Sequence, residues 1–268
     1  MASLDYGKVQ EFWEKAEPSS LSPYMMNGFG FPDSSAKYRF KAELKTMKRL
    51  LEKANCNGTV LDLGSGVGLW TSFFAENFSR VIAVESSLSL YQALVARCSS
   101  YSNIQIFDED IRLFEPKTPI SLIFSGGLLM YLNENDVRNL LNRLRGNLEP
   151  DGIIICRETT VRNGTTIRQG NYQAAYRSVS VYNEIFQATG FQVLKIEKNT
   201  PYVLMEMGIQ FLENWKKLIP NPVQMISILG PSVYYSLRLL SPLLFGMQKI
   251  VKIEYPKLEN HFFVLKPI

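Results

Sequence analysis

The chain of 268 residues holds a single histidine, His261, so histidine-based triads and multi-histidine metal sites have no material from which to be built. Its three cysteines, Cys56, Cys98 and Cys156, fall in no CxxC or Cys/His spacing. That speaks against a disulfide framework and against structural zinc, and for a reducing, cytoplasmic setting. Charge of one sign is also missing, since 29 basic and 25 acidic side chains leave a formal +4. No basic-then-apolar leader opens the chain: Met1 to Glu17 mixes Asp5, Lys8, Glu11, Glu14 and Lys15 among its apolar residues, which speaks against secretion. The longest uncharged run, Leu218 to Leu237, is broken by Pro220, Pro222, Gly230 and Pro231 and makes a poor spanning helix. There is no internal repeat and no low-complexity tract. What remains is an ordinary globular balance, 46% hydrophobic and 20% charged, long enough to bury about 70–75% of the unfolded chain's surface without staples.

A single domain in four stretches is expected: an arm over 1–36 with a helix around Tyr6 to Lys15, a core over 37–197, an apolar helical segment over 198–258, and a final strand over 259–268. In the core, short β-branched runs alternate with helical periodicity, the pattern of βαβ units around a parallel sheet. Strands are predicted at Thr59–Leu63, Val81–Glu85, Ile104–Phe107, Ser121–Ser125, Ile153–Glu158 and Phe191–Glu197. The clearest helix runs from Asn133 to Asn147, with Asn133 as N-cap and Val137, Leu140, Leu141, Leu144 and Leu148 in one apolar stripe. Leu88–Cys98 and Val179–Ala188 are similar.

The strand TVLDL runs directly into Gly64, Ser65, Gly66, Val67 and Gly68, and a helical run follows. Glycines suit that turn because the chain must reverse tightly while a ligand approaches its backbone. Seventeen residues past Gly68 the next strand ends in Glu85, a carboxylate placed to accept from two ribose hydroxyls. Together they describe an adenosine site. A dinucleotide fold reads GxGxxG and holds a pyrophosphate, whereas GxGxG behind Asp62 suits a ligand without phosphates, S-adenosylmethionine. Asp110 could then accept from the adenine amine, with Ile111 packed on the ring, and Ser125 and Gly126 could admit the methionine part.

VLDLGSGVG, the acidic end of the second strand, DEDI, SGGLLMYL and LEPDGIIICRE resemble the successive motifs of class I S-adenosylmethionine-dependent methyltransferases over residues 55–197. The resemblance implies a Rossmann-like α/β fold with a seven-stranded sheet in the order 3-2-1-4-5-7-6, HFFVLKP being the antiparallel last strand. It also implies that Gly64, Gly66 and Gly68 wrap the methionine end, Glu85 the ribose, and Asp110 with Ile111 the adenine. The layout of the arm, VQEFWEKAEPSSLSPYMMNGFGFPDSSAKYRF, is similar to that of protein N-terminal α-amine methyltransferases, which implies a lid over the cofactor carrying Trp13 and Tyr24. This chain has Leu69 and Tyr131 where that group has an arginine and a histidine, and no hairpin insertion is read in it.

Methyl transfer to O, N or C is an in-line displacement, so the protein supplies alignment, exclusion of water and, where needed, a base. Glu158, at the end of the fifth strand, is the first choice for a base, against an ion pair with Arg157 or Arg177; Tyr131, Tyr172 and Tyr176 are further candidates. The aliphatic content of 198–258 points to a small apolar or lipid-like acceptor, with a membrane-surface contact or a homodimer through the same segment as the other reading. Residues 37–53 hold seven basic against two acidic side chains and read as a solvated face. Their aromatics are not interleaved as in a nucleic-acid groove, so nucleic acid is not expected as a partner. The competing functions are a peptide or protein α-amine methyltransferase and a silent methyltransferase-fold binding module.

Overall fold

Along the strand Thr59–Leu63 successive side chains leave opposite faces of the sheet: Val60 packs with Met47, Phe74 and Phe124, while Leu61 and Leu63 pack with Ile123, Val137 and Leu140. The sheet is therefore buried on both sides, as parallel sheets must be. The computed structural model describes residues 3–16, 33–52, 54–218, 232, 235–243, 246 and 256–268. In chain order its strands are β1 (Thr59–Leu63), β2 (Arg80–Val84), β3 (Ile104–Phe107), β4 (Ile120–Ser125), β5 (Leu148–Val161), β6 (Thr165–Arg168), β7 (Ala174–Ser178), β8 (Phe191–Lys198) and β9 (Glu259–Pro267). The helices are α1 (Tyr6–Glu14), α2 (Asp33–Leu50), α3 (Leu69–Ala75), α4 (Leu88–Cys98), α5 (Glu134–Arg145), α6 (Val179–Ala188) and α7 (Thr200–Leu218).

Strands β3, β2, β1, β4 and β5 are parallel neighbours in that order, and β9 runs antiparallel between β5 and β8. With β8 and β9 counted as sixth and seventh, this is the expected order 3-2-1-4-5-7-6. The expectation of no hairpin is corrected: β6 and β7 pair antiparallel, and β7 extends the sheet by pairing with the far end of β5 at Thr160 and Val161. Strand β5 is also longer than its apolar run, because its last residues are held by both β7 and β9. Helix α7 leaves the end of β8 as expected for an insertion between the last two strands. Among the described residues no helix is long and apolar enough to cross a membrane.

Asn133 stands at the N-cap of α5 with extended backbone, but its side chain makes no cap bond. Its Oδ1 accepts instead from the Leu4 N–H at 2.8 Å, so the residue expected to cap the helix ties down the arm.

Candidate active site

The carboxyl ends of β1, β2, β4 and β5 open into a cleft of about 1540 Å³, the place where open α/β sheets bind ligands. Gly64 and Gly66 line it with φ of +63° and +56°, and Gly68, the N-cap of α3, has φ of +82° but stands against Leu94 and Cys98 of α4 and does not line the cleft; L side chains rarely adopt these values. A Cβ on Gly64 would stand 2.8 Å from Leu128 Cδ1. Glu85 is 7% exposed and accepts from the Gly66 N–H at 2.8 Å and the Ser87 N–H at 2.9 Å, so the acid at the end of β2 is clamped to the glycine turn that begins the cofactor cradle. Burial raises its pKa. Asp62 lies behind the turn, accepts from the Thr71 hydroxyl at 2.6 Å, and is pushed by burial up to about 7. Gly126 lines the cleft, and so does Ile111; Ser125 is buried and donates its hydroxyl to Glu158. Asp110 lines the cleft too, but Arg112 donates to both of its oxygens and lowers its pKa. The Arg112 guanidinium also stacks 4.0 Å from the Tyr6 ring, joining the adenine-side acid to the arm.

Helix α1 lies across the mouth of this cleft. The Ser87 hydroxyl donates to the Trp13 carbonyl at 2.9 Å and the Ser89 hydroxyl to the Ala16 carbonyl at 3.0 Å. The Asp5 N–H donates to Gln173 at 2.9 Å, and the Tyr6 hydroxyl to Asp136. Trp13 meets Tyr131 edge-on at 5.3 Å and Phe12 meets Tyr172 at 4.9 Å. Tyr24 lies outside the described residues.

The structure brings Tyr131, Tyr172 and Tyr176 together. The Tyr131 and Tyr172 hydroxyls are 2.9 Å apart, and Tyr176 donates to Tyr172 at 3.3 Å. Burial raises the pKa of Tyr131 and Tyr172, so both phenols stay protonated near neutral pH. Glu158 does not join them. It is fully buried below the cleft wall, where Oε1 accepts from Ser125 at 3.1 Å and from the Leu128 and Leu129 N–H groups at 3.2 and 3.1 Å. Burial pushes it up to about 7. Neither expected ion pair forms: Arg177 donates to the Leu129 and Leu132 carbonyls, and Arg157 pairs with Glu43 at 3.3 Å.

Glu43 was hidden in the basic run of α2. The run is a solvated face only in part, because Arg39, Glu43 and Met47, four residues apart, form a buried stripe. Glu43 belongs to a network that reaches Arg157 on β5, Asn199 before α7, Asn260 on β9 and, through Thr159, the Tyr202 hydroxyl on α7. An acid in the middle of a basic helical face was its one signal in the sequence.

Charge along the cleft is segregated. Under β1, β2 and β3 it is lined by Asp62, Glu85, Asp108, Glu109 and Asp110, with Arg112; beyond β4 it is lined by Arg39, Arg157, Arg162, Arg168 and Lys257, with Glu43 and Glu206. The acidic end beside the glycine turn fits a cationic adenosyl ligand without phosphates. When bound there, S-adenosylmethionine supplies a methyl group on a sulfonium.

Fold, glycine cradle and strand-end acid together define a class I S-adenosylmethionine-dependent methyltransferase. The family model described as a methyltransferase domain matches residues 35–196, and the chain belongs to that family. It is 27% identical over 192 residues to phosphoethanolamine N-methyltransferase 1 of Triticum aestivum, covering 67% of this chain and 36% of the relative, so it spans about a third of that relative's length. It is 22% identical to alpha N-terminal protein methyltransferase 1 of Drosophila melanogaster, over 71% of this chain and 68% of the relative. Among solved structures, phosphoethanolamine N-methyltransferase 1 of Haemonchus contortus, in complex with phosphoethanolamine and S-adenosylhomocysteine, superposes with a TM-score of 0.61 at 21% identity, covering 74% of this chain and 45% of that one.

Proposed function

We propose that the chain transfers the methyl group of S-adenosylmethionine to the amine of a small acceptor that also carries an anionic group. The observation that carries this reading is the segregation of charge in the cleft, with a cluster of cationic side chains beyond β4, opposite the acidic cofactor end. An amine needs less help to lose its proton than a hydroxyl does, which suits a wall of phenols held protonated. The name of the wheat relative points the same way. The apolar acceptor suggested by residues 198–258 draws less support: at the cleft the described part of that segment contributes Tyr202, Glu206, Gln210 and Lys257 beside Ile209, Pro256 and Leu258. Leu239 and Leu243 are 81% and 65% exposed.

The cofactor cradle in this reading is Gly64, Ser65 and Gly66 for the methionine end, with Gly68 turning the chain into α3, Asp62 behind them and Gly126 opposite. Glu85 takes the ribose, and Ile111 the adenine, with Asp110 shared between the adenine amine and Arg112. Trp13 roofs the transfer site. The test is a panel of phosphoethanolamine, ethanolamine, an aliphatic alcohol and a short peptide with a free α-amine, read by S-adenosylhomocysteine release and product mass. Phosphoethanolamine should be methylated, with KM rising at least about tenfold when the phosphate is removed or Arg168 is replaced by Ala, the loss of one charge-assisted contact. Turnover of the alcohol alone overturns the reading. A second reading, methylation of a peptide α-amine, draws on the docked α1 and the hairpin β6–β7, and turnover of the peptide alone would establish it.

A further inference from the structure

Three observations single out one group at the acceptor end. Glu43 lines the cleft yet is 1% exposed, so its charge is held away from bulk water. Its Oε1 is fully engaged, accepting from Asn199 Nδ2 at 2.7 Å and Arg157 Nη1 at 3.3 Å. Its Oε2 has no partner among the described residues. A buried carboxylate oxygen left without a donor is costly, and one fixed on its other side by two donors cannot turn away to find one. A donor that arrives with a ligand would supply the missing partner. Arg157 locates that donor, because its Nη2 donates to the Gly126 carbonyl at 3.2 Å while its Nη1 holds Glu43. One guanidinium therefore spans from the carboxylate to the β4 turn beside the cofactor cradle. Glu158 also has an unpartnered oxygen, but it does not line the cleft and its bonds serve the turn after β4.

Resting on the amine-acceptor reading, we propose that Glu43 receives the acceptor's ammonium group and takes its proton before methyl transfer. The ammonium and the carboxylate become an amine and a carboxylic acid. The freed nitrogen lone pair then forms the N–C bond as the sulfonium S–C bond breaks, leaving a methylammonium and a neutral thioether, and Glu43 returns its proton to solvent. Arg39 and Arg157 face Glu43 from α2 and β5, and Asn199 from the start of α7. These groups hold the carboxylate in place while it waits for a proton donor.

The test uses the full chain with S-adenosylhomocysteine and two probes of equal size: phosphoethanolamine, and propyl phosphate, in which a methyl group replaces the amine. The wild-type protein should bind phosphoethanolamine at least about tenfold more tightly by calorimetry, the margin of one ion-paired hydrogen bond. Glu43→Gln should abolish that margin, leave S-adenosylhomocysteine affinity unchanged, and lower kcat by about a hundredfold or more, the usual scale for losing a general base. Glu43→Asp should restore part of kcat. Equal binding of the two probes by wild type overturns the proposal, and that result stands even if Glu43→Gln fails to fold. A margin that persists in folded Glu43→Gln, or a kcat within a few-fold of wild type, overturns it as well, while the amine reading survives. Failure of the wild-type protein to methylate any amine in the panel overturns the amine reading, and this inference falls with it.

Discussion

Ser87 donates its hydroxyl to the backbone carbonyl of Trp13 at 2.9 Å, and its own N–H goes to Glu85 at 2.9 Å. One serine thus ties the arm to the carboxylate assigned to the ribose. If Glu85 takes the ribose as proposed, docking of α1 and occupation of the adenosine end should be coupled through it; the Trp13 ring carries the contact on to Tyr131.

Ser87→Ala should therefore loosen the arm without disturbing the sheet. Losing this hydrogen bond costs about 1 kcal/mol, or about fivefold faster hydrogen exchange over residues 6–14, with a small loss of S-adenosylhomocysteine affinity. Unchanged exchange across α1 would show that the arm does not depend on this link.

Glu85→Ala removes the acceptor for the Gly66 and Ser87 N–H groups as well as the ribose contacts. Cofactor affinity should fall by about 1.5–3 kcal/mol, or roughly 10- to 150-fold. Calorimetry on a variant shown to be folded checks it, and an unchanged dissociation constant refutes the assignment.

Tyr172→Phe keeps the ring against Phe12 and under Arg168 while deleting the hydroxyl at the middle of the tyrosine chain. Acceptor kcat/KM should drop about tenfold, with cofactor affinity unchanged. Tyr176→Phe removes one link only, so its effect should be smaller. Equal kcat/KM for all three proteins would place the acceptor elsewhere.

Asp62 and Glu158 are both pushed by burial up to about 7, above the ordinary carboxylate range. Between that range and pH 7 the folded state holds protons that the unfolded state has released. Their contribution to stability is therefore full at low pH and is lost as pH rises through 7. Asp62→Asn and Glu158→Gln should gain on wild type by about 1–3 kcal/mol in moving from pH 5 to pH 8, since a tenfold difference in proton affinity between the folded and unfolded states is worth about 1.4 kcal/mol before relaxation. Denaturant unfolding at the two pH values reads this directly, and a constant difference between variant and wild type would show that neither group is protonated in the fold.

The glycine turn and the acid after the next strand were legible in the amino-acid order because each follows a strand with its own local signature. A glycine triplet between a strand and a helix, and an acid after the next strand, are each announced by the period-two alternation of β1 and β2 just before them, and parallel pairing of those strands brings them together. The seven-strand order came from the resemblance to class I methyltransferases, and the sheet has it. The hairpin escaped because β6 is TTIR, mostly polar and exposed, and shows no apolar alternation to announce a strand. Glu158 lies inside β5 and away from the cleft lining because pairing with β7 and β9 carries the strand on to Val161, which its apolar run does not announce. The surroundings of Glu43 were decided by tertiary structure alone: Glu43 meets Asn199 across 156 residues of chain, and Asn260 meets Thr159 across 101. Each of those residues in isolation reads as an ordinary surface amide, hydroxyl or acid. Only when α2, β5, β9 and α7 close around one point do they lose water together, and it is this shared loss of solvent that leaves one carboxylate oxygen without a partner.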